Sequence, residues 1–565
     1  MNTDTRKTNE ITVDSCFSDI GPRSLADTIY RPFFLAGIAT VLTLGCLWGA
    51  INLLTIGLNQ NFTAANYSWV LAHAHAMVFG FVGFFIMGFA YQAFPRFKHT
   101  TLWRPRIAFS ALPLMIAGIV VQTVAHLLSP PSLVLEIVAA TIQLVAVSIF
   151  AIAIVKTAQH AQKPEVYDRF VYASLGWFFL AAIANPIIFK LFELPDSKAQ
   201  LLFNLATFNI PYRDVQLLGL AVVMILGVSL RFLPHAYGLR EPSKAWRALL
   251  FWGVNGSILA GVVLFIAGMV SGNHWLLALQ WLTTFLLLAV AVGTPRQYRL
   301  FGPVPDDERD RGLKFIRAAH VWFIIAAAML VFTPIYNFAI YMPLTGSHVP
   351  FSHAFFGGYR HALTVGFIMM MIVGVSSKVV PTLSGVDVRR VNALWPTFLL
   401  LNLGNLTRVS SQIATDFFPS AYPIMGFSGF IEVIGLMLWA RELVANMRAG
   451  RNLERQTSGC STKIIGQVNM ENTGTFDITP QTKVGDVLAR YPQSLAVFLR
   501  HGFSPLANPV LRQTMARVVS IEQACRREGV NLEELLHELR VVAIPDDLAN
   551  EAVFVAITRT ASGPT

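Results

Sequence analysis

Charge is scarce in this chain: only 13% of its 565 residues are Asp, Glu, Lys or Arg, while 54% are hydrophobic. Soluble domains carry about a quarter charged residues, so the composition excludes an ordinary globular enzyme and points to insertion in a bilayer. Cysteine is scarce too. Cys16, Cys46, Cys460 and Cys525 show no short paired spacing, which argues against an iron–sulphur cluster, a zinc ribbon or a disulfide framework and leaves structural thiols. The stretch 1–27 lacks the short apolar core and small-residue cleavage site of a signal peptide, so it is expected to stay as a polar cytoplasmic tail. Acidic residues number 32 against 43 basic ones, a formal charge of +11. In a soluble protein that excess would invite nucleic acid; here the cations sit between apolar runs, where they set topology, and no nucleic-acid partner is expected.

Those runs predict spans near 33–57, 69–94, 107–128, 132–156, 170–191, 212–233, 248–270, 274–294, 318–341, 360–381, 393–413 and 420–442. Each is about 20 residues or slightly more, the length that crosses a lipid bilayer. The expected fold class is all-α: a polytopic membrane protein of twelve transmembrane helices over 28–445, plus a small helical domain. Roughly 28 Lys and Arg fall on the side of the N-terminus, 5 on the other side and 10 in the C-terminal segment. The rich side is expected to be cytoplasmic, and an even span count puts both termini there.

Spans 2, 6 and 10 share one gapless frame: His75, Gly80, Gly88, Pro95; Asp214, Gly219, Gly227, Pro234; His361, Gly366, Gly374, Pro381. Recurrence every four spans predicts three four-helix repeats, with the first turns of spans 2, 6 and 10 at matching depth. Gln92, Arg231 and Lys378 share a further frame position and read as anchors at the cytoplasmic interface.

An ionisable side chain within a span is costly and is by default a candidate for function. His73, His75, His126, His274, His348, His353 and His361 all lie toward the outer side of the expected topology. Two neutral imidazoles facing each other between helices are a common way to hold a six-coordinate haem iron, and the neighbouring Phe, Met and Gly suit a flat apolar macrocycle. His73 and His75, two residues apart, point about 200° apart on a helix and cannot bind the same iron. The methionines at 369–371 read as adaptable packing.

The segments 30–35 (YRPFFL), 73–81 (HAHAMVFGF) and 361–366 (HALTVG) resemble motifs of the NnrS family of bacterial membrane proteins, over most of 28–445. The resemblance implies a bacterial inner-membrane protein that holds haem, with copper as a further metal, in resistance to nitric oxide. Family members usually carry a glutamate where this chain has Ala76, so any proton or metal role of that carboxylate is absent here. More distantly, 72–79 is similar to span 2 of haem–copper oxidase subunit I, which implies His73 and His361 as the two ligands of one haem b. Tyr359 stands where oxidases carry the ligand of a second haem, and expected span 7 holds no histidine for the oxidase copper site. Arg408 is then the expected propionate partner, His75 faces span 6 with Tyr212 or Asp214, and copper falls to the outer-side histidines, with His73, His75, His353 and His361 as the candidate metal ligands.

Beyond the spans, 446–475 reads as a linker, 476–545 as a compact helical cytoplasmic domain and 546–565 as a tail. Leu488, Leu495, Val497 and Leu499 are expected to be buried, Ser520 with Gln523 has capping-box spacing, and 532–539 is strongly amphipathic. This domain resembles a small module of unknown function found beside redox proteins. In this chain 503–508 replaces the cysteine pair of metal-linked relatives, which favours docking to a redox donor or cytoplasmic partner over metal chemistry.

Three function classes are carried forward. The first is a haem protein that binds, transports or converts nitric oxide or iron–nitrosyl species. The second is a haem–copper-oxidase-like oxidoreductase acting on nitric oxide, and the third is a transporter without cofactor, since repeats are common among carriers.

Overall fold

The computed structural model describes residues 24–161, 163–303, 312–386, 391–459, 478–503, 506, 512, 516 and 519–542. The N-terminal tail through residue 23, most of the linker and the C-terminal tail lie outside the described residues. Contacts divide the chain into a membrane unit, Ser24–Val379 with Asn392–Ala445, and a second unit that contains the C-terminal domain.

Eleven helices of the described residues are long and apolar enough to cross a membrane: α1 Leu25–Asn59, α2 Tyr67–Phe97, α3 Pro105–Leu127, α4 Leu133–Gln159, α5 Val166–Glu193, α6 Lys198–Tyr237, α7 Lys244–Ser271, α8 His274–Tyr298, α9 Leu313–Thr345, α10 His353–Ser384 and, after one further helix, α12 Ala421–Asn452. The helix between the last two is α11, Trp395–Ala414. Sequence reading counts it as a twelfth span; Asn405, Thr407, Arg408, Ser410, Ser411 and Gln412 crowd its second half and leave it less apolar than the other eleven. A second difference is the length of α6. Its first turns carry Lys198, Gln200 and Asn204, so hydropathy misses them; Ser197 caps the helix through Gln200 N–H at 3.1 Å, and Asn204 donates to the Leu191 carbonyl at 2.8 Å.

Three helices lie at the centre. The most apolar stretches of α2, α6 and α10 are 72, 83 and 72% buried, against 22–56% for the other eight. Each packs on the helix before it through glycines at the expected frame positions. A Cβ added to Gly80 would lie 2.6 Å from Thr40 Cγ2, one on Gly219 2.6 Å from Trp177 Cγ, and one on Gly366 2.6 Å from Trp322 Cβ. Two turns on, Gly88 meets Phe33 Cβ at 2.8 Å, Gly227 meets Phe170, and Gly374 meets Ile316 at 2.9 Å. With no hydrophobic drive between helices in lipid, such backbone approach is one source of packing energy, beside interhelical hydrogen bonds. The 30–35 motif thereby gains a structural meaning, because Phe33 and Phe34 are the surface that receives Gly88. Between α1 and α12 the same device recurs, Gly57 lying against Gly426.

Each central helix also opens into a π-helical stretch just past its frame residue: Ala76–Val82, Val215–Val222 and Ala362–Met369. A π turn inserts a residue and releases carbonyls from the i→i−4 ladder, and such turns are frequent at functional sites. Gln92 departs from its expected interfacial role, since it is 1% exposed among the aromatic side chains of α2. Arg231 bonds His235, and Lys378 lies over the Tyr237 ring at 5.0 Å.

In the second unit, α12 continues to Gly459, and among the described residues four short helices follow: α13 Val484–Arg490, α14 Ser494–Arg500, α15 Ile521–Glu528 and α16 Leu532–Val542. Their core holds Val487, Val497, Phe498, Phe503, Ile521, Leu535 and Leu539, with Leu488 and Leu495 packed against it. Leu499 is 39% exposed, contrary to expectation, because Val497 and Phe498 take the buried face of so short a helix. The Ser520–Gln523 capping box forms in both directions. Cys525 is buried in the core, and burial raises its thiol above the usual range, as suits a structural cysteine.

Gly88→Leu would drive a side chain into Phe33 and Phe34 and is expected to cost about 1–3 kcal/mol. Gly256→Leu, with nothing within 4 Å of the added Cβ, should leave stability unchanged. Melting temperatures in detergent make the comparison; equal values for the two variants would show that the close approach is dispensable.

Candidate functional site between the central helices

Positions i and i+2 on each central helix face different neighbours, so three kinds of interface result. Between α10 and α2 the structure brings together His361 and His73. Between α2 and α6 it places His75 and Tyr212 on one cavity. Between α6 and α10, Asp214 lies within electrostatic reach of Tyr359 and Arg360. Tyr212 rather than Asp214 is therefore the partner of His75.

The His73 ring is oriented by the bend in α1. A π turn over Val41–Gly45 leaves Gly45 at φ −83°, ψ −116°, which turns its carbonyl out of the helix to face His73 Nδ1 at 3.0 Å. A carbonyl only accepts, so Nδ1 donates, and in the neutral ring Nε2 keeps its lone pair. Gly49 makes room for this ring: a Cβ there would lie 2.6 Å from His73 Cε1. His361 Nε2 faces an Arg408 Nη at 3.2 Å. A guanidinium only donates, so this nitrogen too carries a lone pair, while Nδ1 is buried without a partner. Arg408 is 8% exposed, its Nε and other Nη also lack partners, and Glu432 of α12 lies within electrostatic reach. His73 and His361 lie within electrostatic reach of each other. Two imidazoles that both present Nε2 lone pairs, one of them fixed by a carbonyl behind it, fit axial haem ligation.

His75 belongs elsewhere. Its ring stacks on Phe79 at 4.4 Å, its Nε2 is buried without a partner, and it lines a cavity with room for about one water, together with Gln122, His126, Asn185, Tyr212 and Arg213. His126 Nδ1 donates to Glu193 Oε1 at 2.6 Å, and Ser68 Oγ donates to Glu193 Oε2 at 2.6 Å. Tyr212 donates to Asn185 at 2.7 Å, Asn185 to Glu136 at 2.8 Å, and Gln143 to Gln122 at 2.8 Å. Sequence reading missed Glu136, Glu193 and Asn185 by following histidines. The signal was present, since Glu136 is an acid inside an apolar run, which is as costly as an intramembrane histidine.

His353 stands apart from both groups, exposed at the start of α10 with its ring edge on Phe351. Among the described residues no group of three or more His, Cys, Asp or Glu side chains is arranged to hold a metal ion.

An all-helical multi-pass membrane protein with imidazoles enclosed between its central helices is the class that the fold and these interfaces define. The chain belongs to the NnrS family, whose profile, described as NnrS protein, matches residues 25–451. Residues 478–536 match a domain of unknown function, DUF1858. No curated protein matches the chain.

Removing the Glu193 carboxylate would leave His126 and Ser68 facing an empty acceptor site. Glu193→Ala is expected to cost about 3–5 kcal/mol, and His126→Phe with Glu193→Leu to recover most of it. Thermal melts of the three proteins check this; a single variant as stable as wild type would mean that the pair is not holding α3 to α5.

Proposed function

We propose that the chain is an NnrS-like haem-binding inner-membrane protein acting in resistance to nitric oxide or iron–nitrosyl species. The observation that carries this reading is the pair of Nε2 lone pairs on His73 and His361, on neighbouring central helices. One haem b is the group assigned to them; when bound it supplies an iron that changes oxidation state. The chain's own residues do the positioning. The Gly45 carbonyl fixes the tautomer and angle of His73, and the missing side chain at Gly49 lets the ring reach that angle. Arg408, with two unpartnered nitrogens, offers donors for a propionate. The nitric oxide role rests on family membership. The glycine contacts of the central helices support three four-helix repeats, and the Lys and Arg asymmetry supports cytoplasmic termini. That orientation would offer the C-terminal domain to a cytoplasmic partner.

Visible spectra of oxidised and dithionite-reduced protein test the reading. Wild type and His75→Ala are expected to show a b-type spectrum that His73→Ala and His361→Ala lose. Wild type made with ample haem supply yet lacking haem would overturn it.

A further inference from the structure

Arg213 of α6 and Arg360 of α10 occupy one frame position, each a residue before Asp214 and His361; the matching residue of α2 is Ala74. The π stretch of α6 that begins just beyond Arg213 and Asp214 touches the π stretches of both α2 and α10. The two guanidiniums lie within electrostatic reach of each other. Arg213 donates to Gln216 Oε1 at 2.7 Å and lies over the Tyr212 ring, while Arg360 lies 4.8 Å over the Phe356 ring. Among the described residues neither donates to a carboxylate. Asp214 is in electrostatic reach of Arg360, and Glu193, the next acid, is held by His126 and Ser68. The Tyr67 hydroxyl is buried without a partner within reach of both arginines, and the Tyr359 hydroxyl, in a side chain 2% exposed, is unpartnered within reach of Arg360.

Two cations thus face one acid, Asp214, that is not already held as Glu193 is by His126 and Ser68, inside a helix bundle. An uncompensated cation between helices in a bilayer is costly, so a further negative charge here is stabilising. The guanidinium forks and the phenol hydroxyls all offer hydrogens, and a fork matches a planar group with two oxygens. The same charge disfavours a metal cation in the cavity that Arg213 shares with His75 and His126.

We propose that Arg213 and Arg360, with the Tyr67 hydroxyl, form a binding site for a small planar oxyanion. Nitrate, nitrite and the carboxylate of a haem propionate share that chemistry.

The full-length protein in detergent, with chloride, which is neither planar nor an oxyanion, as background anion, tests the site. Sodium nitrate is titrated by calorimetry and by melting temperature, and the haem midpoint potential is measured alongside. A free oxyanion site gives saturable nitrate binding that raises the melting temperature in wild type and weakens about tenfold or more in Arg213→Gln and Arg360→Gln. A propionate site gives no nitrate response, but each glutamine variant shifts the haem potential and reduced spectrum. Should the glutamine variants fail to fold, Arg360→Lys, which keeps the charge and loses the fork, is read in both assays and should show the smaller change of the same kind. A wild type indifferent to nitrate, with variants whose potential and spectrum match it, overturns the proposal. The nitrate titration needs no haem, so loss of the haem reading and loss of this site give different results.

Discussion

A polar group enclosed by helices in a bilayer cannot wait for water, so it must find its partner in protein or in a ligand. That constraint orders the whole interior of this chain. Where the partner is protein, the structure supplies it closely: Glu193 takes both His126 and Ser68, and Glu136 takes Asn185, which in turn takes Tyr212. Where none is supplied, some of the gaps fall around the central junctions. His361 Nδ1, His75 Nε2, two nitrogens of Arg408 and the hydroxyls of Tyr67 and Tyr359 all lack partners within the first turns of α2 and α10 or the facing part of α11. Native interiors tolerate few such groups, and these lie where the proposed haem and oxyanion would supply partners.

Glycine makes the enclosure possible. Gly80, Gly219 and Gly366 let the central helices lie against α1, α5 and α9 at backbone distance, and the partner changes from Thr40 to Trp177 to Trp322 without altering the approach. The two tryptophans are themselves fixed alike, Trp177 by Asn255 at 2.9 Å and Trp322 by Asn402 at 3.1 Å. Those asparagines sit two helices further on in each case, which ties α5 to α7 and α9 to α11.

Much of this was legible from residue spacing, for a physical reason. Helix length in a bilayer is set by its thickness and glycine positions by backbone approach, and both leave a one-dimensional trace. The separation of His73 from His75 followed from helix geometry alone. Ser520 and Gln523 were legible because a cap is local. Partners across helices were not: nothing in the chain order says that Glu193 meets His126, or that a bend at Gly45 aims a carbonyl at His73. The first turns of α6 were hidden because capping and side-chain bonds, not hydropathy, sustain them, and α11 forms as a 20-residue helix that is less apolar than the other eleven because polar residues crowd its second half.

The spacing of two residues on the central helices has a wider consequence. A helix turned by about 200° between i and i+2 serves two interfaces at once. His73 and His75 on α2, Tyr212 and Asp214 on α6, and Tyr359 and His361 on α10 therefore give three junctions from six residues. Each junction combines the first residue of one helix with the third of another, and of the residues between them Arg213 borders the His75–Tyr212 cavity while Arg360 lies within electrostatic reach of Asp214 and Tyr359. Changing a side chain at one junction leaves the glycine contacts, which lie a turn or more away, untouched. An imidazole pair, an imidazole with a phenol, and a carboxylate with a phenol can thus coexist on one packing scheme. In this chain the first suits a metal-centred group, and the arginines between the other two suit an anion. The division of chemistry follows from side chains at three positions per helix, while the fold depends on the glycines.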